Sequence, residues 1–169
     1  MPLSEELGDG WVRLPMETAS PAPDSSGSIC PLVATSVPPA VPVAGEVHAE
    51  YDGGPRLAGV FVTPFPTPEQ AADAVRVALA RVDGCGSTFT YVTDSGLSLP
   101  VTAETYVSPV PGAQCRRLSL TDGRTQWYAM CWHAVGARTV AVRVMADRDE
   151  APAIASRALE RTVTRVGAL

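Results

Sequence analysis

The chain has no lysine and no asparagine, only two isoleucines (Ile29 and Ile154) and only two histidines (His48 and His133). Without lysine there is no Schiff-base amine and no P-loop ammonium. Two histidines are too few for a multi-histidine metal centre. No run of about eighteen apolar residues occurs, so nothing in the sequence reads as a membrane-spanning helix. No two cysteines form a Cys-x-x-Cys pair, which argues against a zinc ribbon or a thioredoxin-type motif. There is also no Gly-x-Ser-x-Gly elbow and no glycine-rich phosphate loop after a strand. All 13 basic residues are arginine. The scarce residues are those with AT-rich codons, so a GC-rich genome accounts for the bias better than function does.

What is present suits one domain. The chain has 169 residues, of which 46% are hydrophobic and 18% charged, enough apolar material for a core. The net charge of -5 argues against a nucleic-acid partner. That charge is unevenly placed. Residues 1 to 50 carry seven acids and one arginine, and residues 51 to 169 carry eleven acids and twelve. The acidic balance therefore belongs to the N-terminal segment.

The first third is irregular. Pro15, Pro21, Pro23, Pro31, Pro38, Pro39 and Pro42 break any long helix or central strand. Residues 1–45 are read as a proline-rich segment packed on the body through Cys30. Trp11 also argues for partial order, because a tryptophan is costly to leave in water. Residues 46–169 read as an α+β body on a mainly antiparallel sheet with two main helices. Strands are expected at 46–51, 57–65, 87–92, 101–107, 115–120, 125–134 and 139–145. The first helix is expected over 67–83, with Thr67 as cap, Pro68 at the first position and Gln70 completing a capping box. The second is expected over 150–166, capped by Asp149 with Pro152 in its first turn.

One hairpin register follows from the sequence. Cys115 and Cys131 are symmetric about Gly123. A turn at Asp122-Gly123-Arg124 sets Thr121 opposite Thr125, Ser119 opposite Trp127, Arg117 opposite Ala129 and Cys115 opposite Cys131. Sulfurs on directly opposed residues are close enough to bridge. Cys30 is then left to pair with Cys85, giving two disulfides worth roughly 3 and 4 kcal/mol in the chain-entropy model. The other reading is four buried thiols in a cytosolic protein. The same register puts Trp127, Ala129, Cys131, Val140, Val142 and Val144 on one face, with Arg117, Ser119 and His133 at its edge. The opposite face carries Leu118, Leu120, Tyr128, Met130 and Trp132, with Arg116 and Arg143 nearby. Arg116, Tyr128, Met130, Trp132 and Arg143 are thus a candidate ligand surface. They serve equally as a second core layer under the helices.

Candidate chemistry elsewhere has a plainer account. Asp94-Ser95-Gly96 resembles one arm of an aspartic-protease dyad, but a second carboxylate is missing and the tripeptide suits a turn. Gly84-Cys85-Gly86-Ser87 is no nucleophile elbow. His48 and His133 read as strand residues. The acids of Asp147 to Glu150 favour a helix N-terminus rather than calcium. Arg157, Arg161 and Arg165 form a stripe that reads as a solvated helix face. No catalytic residue, metal ligand or cofactor is assigned.

Taken together, several segments resemble the PknH-type extracellular sensor domain of actinobacterial receptor Ser/Thr kinases and related secreted proteins or lipoproteins. They are Leu7-Gly8-Asp9-Gly10-Trp11, the helix leading to Cys85, Ala129-Met130-Cys131-Trp132, Arg138 to Val144, and Ala153 to Val166, with the spacing of all four cysteines. The resemblance implies an extracytoplasmic α+β domain with bridges Cys30–Cys85 and Cys115–Cys131 and a cleft for a ligand. It supplies no catalytic residues. The expected function is a non-catalytic extracytoplasmic sensor or binding module for a small-molecule or cell-envelope ligand, whether secreted, lipid-anchored or a receptor ectodomain, with any membrane attachment only through an upstream anchor. A structural or partner-binding envelope domain is the alternative, and a hydrolase with an unrecognised site is the third.

Overall fold

The computed structural model describes residues 1–14, 47–92, 97–122 and 124–168. In chain order the elements are α1 (Ser4–Leu7), β1 (Val12–Arg13), β2 (Val47–Asp52), β3 (Leu57–Pro64), α2 (Pro68–Asp83), β4 (Thr88–Val92), β5 (Ser98–Tyr106), β6 (Gln114–Asp122), β7 (Arg124–Val135), β8 (Arg138–Ala146) and α3 (Glu150–Gly167). The strands form one antiparallel sheet in the order β1-β2-β3-β8-β7-β6-β5-β4. The α+β class, the antiparallel sheet and both long helices agree with the sequence reading.

Alternation along the strands sorts side chains into two cores. On one face Val60, Val140, Val142, Val144, Ala129 and Cys131 meet Ile154, Ala155, Ala158 and Leu159 of α3. On the other, Phe61, Leu118, Met130, Trp132 and Ala141 meet Val75, Ala78 and Val82 of α2. The two helices therefore lie on opposite sides of the sheet, each over its central strands. Both helices are amphipathic at helical spacing, and burial of their apolar faces is what stabilises them. Thr67 caps α2 by accepting a bond from the Gln70 amide at 3.3 Å, with Pro68 at the first position.

The β6–β7 register is the one read from the turn. Cys115 faces Cys131, Arg117 faces Ala129, Ser119 faces Trp127 and Thr121 faces Thr125. The Cys115–Cys131 disulfide forms across it, with Cα atoms 4.2 Å apart. This is the one disulfide described in full. The other expected bridge needs Cys30, which lies outside the described residues. So do the proline-rich stretch from Pro15 to Glu46 and the Asp94-Ser95-Gly96 turn.

Several expectations require correction. Within the first 14 residues, where the sequence reading expected partial order at Trp11 but no regular element, two short elements form. Leu7 and Trp11 are buried in the α3-side core, and β1 pairs with β2. The Tyr51 hydroxyl donates to the Pro2 carbonyl at 2.7 Å. The Trp11 ring lies against Gly53 so closely that a Cβ there would stand 3.1 Å from it. Asp149 occupies the cap position of α3 but makes no side-chain cap bond, since its backbone is already helical. Arg165 is not part of a solvated face either. Its guanidinium donates to the Met1 carbonyl at 2.6 Å and to Glu6 at 2.8 Å, tying α1 to α3.

Candidate functional site

The β6–β7 hairpin and β8 place all five candidate surface residues on the α2 side of the sheet, but at different depths. Trp132 and Met130 are 1% and 2% exposed, packed beneath α2 in the core. Their size and the apolar face of α2 make burial the favourable outcome, at about 2–3 kcal/mol per large side chain. A ligand cannot reach them in this arrangement.

Arg116 is also largely buried. It sits where the last turn of α2 crosses β6. Its guanidinium grips both carboxylate oxygens of Asp83 at 2.7 Å each, and donates to the Cys115 carbonyl at 2.9 Å. This two-pronged geometry suits a planar guanidinium. Arg116 holds the Asp83 carboxyl below its usual range. The pair locks the C-terminal end of α2 onto the sheet.

Tyr128 and Arg143 remain. Both are half-buried, and Tyr128 packs against the α2-side core. Tyr128 pairs across the strands with Met145, and Arg143 with Met130. The Tyr128 hydroxyl donates to Gln126 Oε1 at 3.1 Å. Burial pushes its phenol pKa up, while the charge of Arg143 pulls the other way. A phenol and a guanidinium on one sheet face can stack on and hydrogen-bond a polar or anionic ligand.

The α3 side carries a second cluster, of which the sequence reading placed Trp127 in the core and Arg117 at its edge. Trp127 is only half-buried, because α3 lies over β3, β7 and β8 nearer the middle of the sheet. The guanidinium carbons of Arg117 and Arg148 stand 5.4 and 5.0 Å from its ring centroid. Arg117 also pairs with Glu104 at 2.5 Å, holding that carboxyl below its usual range. These cation–π contacts cover part of the ring. Arg148 comes from the β8–α3 turn, which no strand register can place.

Two hollows flank the first half of α3. One of about 500 Å³ lies among Asp9, Arg56, Glu150 and Arg157. Another of about 390 Å³ lies among Tyr106, Pro109, Ser156 and Glu160. Both have mixed linings, unlike the largely apolar walls of a small-molecule pocket. His133 packs near Gly112, and the side chain of His48 lies outside the described residues. Among the described residues no three His, Cys, Asp or Glu side chains converge as metal ligands. Among them too, no helix is long and apolar enough to cross a membrane.

No family model matches the chain, and no curated protein matches its sequence. Its structure is similar to the crystal structure of the extracellular domain of PknH from Mycobacterium tuberculosis, with a TM-score of 0.54 and 16% identity. The match covers 72% of this chain and 66% of that one. The chain thus spans just under two thirds of that domain. At this identity the likeness shows a common fold.

Proposed function

We propose that this chain is a non-catalytic binding or sensor module that works outside the cytoplasm. The observation that carries the reading is the fold shared with an extracellular domain. The buried Cys115–Cys131 disulfide supports it, since such bridges persist in oxidising compartments. In this reading Cys30 and Cys85 form the second bridge. Recognition falls to Tyr128 and Arg143, the two candidate residues that are half-buried rather than fully buried. Their chemistry suits an anionic sugar or similar envelope component, with Arg143 meeting the charge and Tyr128 stacking on the ring.

The test is amide shift mapping with soluble muropeptides and with uronic-acid disaccharides. Shifts centred on Gln126, Tyr128, Arg143 and Met145, lost in the Tyr128→Ala and Arg143→Ala variants, are the expected result. Shifts at Arg117, Trp127 and Arg148 instead would move the site to the other face. No response to either probe would favour the structural, partner-binding role, which the mixed linings of both hollows also suit.

A further inference from the structure

The two edges of the sheet differ in kind. The β1 edge is two residues long and ends in Arg13. A short, charged edge resists strand addition. The β4 edge is Thr88-Phe89-Thr90-Tyr91-Val92, with no charge, no proline and no glycine. It is hydrogen-bonded on its β5 side, and among the described residues no other strand pairs with it.

The direction of its free backbone groups can be worked out. The Ala103 amide donates to the Ser87 carbonyl at 2.8 Å, so Ser87 and Ala103 are a hydrogen-bonded pair. In an antiparallel ladder such pairs alternate, so Phe89 and Tyr91 also direct their N–H and C=O groups toward β5. Pro100 agrees with this phase, since it faces Thr90 and has no N–H to give. Thr88, Thr90 and Val92 therefore direct their N–H and C=O groups outward, away from the sheet.

We infer that β4 is a self-complementary docking edge, and that its partner is β4 of a second copy of this chain. A two-fold axis at Thr90 sets Thr90 against the partner's Thr90 and Thr88 against the partner's Val92. Every residue in those pairs points its backbone groups across the interface, so each pair exchanges two hydrogen bonds. Phe89 then meets the partner's Tyr91, and Tyr91 the partner's Phe89. These fall at the close, non-hydrogen-bonded positions, where aromatic pairs stabilise a sheet most. Both rings lie on the α2 side, against the core beneath that helix. No like charges meet, because β4 has none. An isologous contact of this kind closes on itself and yields a dimer with one continuous sheet.

Sedimentation equilibrium of the full chain, from low micromolar to sub-millimolar concentration, tests this. The expected mass rises from 17.7 kDa toward twice that value. Thr90→Pro removes an outward N–H and should hold the chain at the monomer mass with its circular dichroism unchanged. Thr90→Lys, which sets like charges together at the axis, should do the same and serves if the proline variant does not fold. Amide exchange at Thr88, Thr90 and Val92 should slow as the wild-type concentration rises. A wild type that stays at 17.7 kDa throughout overturns the inference, and so does a dimer that survives both substitutions.

Discussion

Tyr106 on β5 lies beside the Cys115–Cys131 sulfurs, its hydroxyl donating to Cys131 Sγ at 2.9 Å. Burial raises its phenol pKa from 10.0 to about 12, with a bond to Ser156 pulling slightly the other way. The folded protein thus holds this proton more tightly than the unfolded chain. The stability it contributes is complete below pH 10 and is lost as pH rises toward 12. Urea unfolding on either side of pH 10 should show the fall, by up to about 2–3 kcal/mol. Tyr106→Phe should flatten that part of the profile. The linkage at Asp83 runs the opposite way. Its lowered pKa adds stability above the ordinary value of 3.8, and that stability is lost as pH falls further. The sequence places Arg116 by the Trp132 face of the hairpin. It cannot show that Asp83 waits there, because the docking of α2 decides which carboxylate a strand arginine meets.

At the scale of elements, the β6–β7 hairpin was the most legible part of the chain. A turn sequence and two cysteines symmetric about it point to one register, and that register forms. Replacing Cys115 and Cys131 together by alanine should leave the far-ultraviolet circular dichroism intact, since the nine pairs of the ladder remain. The denaturation midpoint should fall by an amount equivalent to about 3 kcal/mol, from the loss of a 16-residue closure. An unchanged midpoint would mean the ladder alone fixes the hairpin. The elements that went unread are α1 and β1, of four and two residues. Segments so short carry no detectable period. They exist because Leu7 and Trp11 find a core to enter.

For the whole molecule, the sequence yields a sheet with two helices but not the side each helix takes. That choice decides what the Trp132 face is. With α2 laid on it, the face is core around Trp132 and half-buried at Tyr128 and Arg143. Alternation alone gives the same pattern for a second core layer and for a ligand platform, which is why both readings stood in the sequence. The N-terminal turn is held from the far end of the chain, by Arg165 on Met1 and Glu6. Arg165→Ala should cost about 1 kcal/mol, discounted for an arginine side chain 39% exposed. The informative readout is local. Amide exchange should quicken at Leu7, Trp11 and Val12 while the β7–β8 ladder stays protected. Equal loosening of both would mean that the clasp supports the entire fold.

That clasp has a topological consequence. The Met1 carbonyl and the Arg165 guanidinium are in direct contact, so the α1 turn and the last turn of α3 meet across one seam although 164 positions separate them. The seam makes the docking of β1 on β2 depend on the far end of α3, so loosening either one loosens the other.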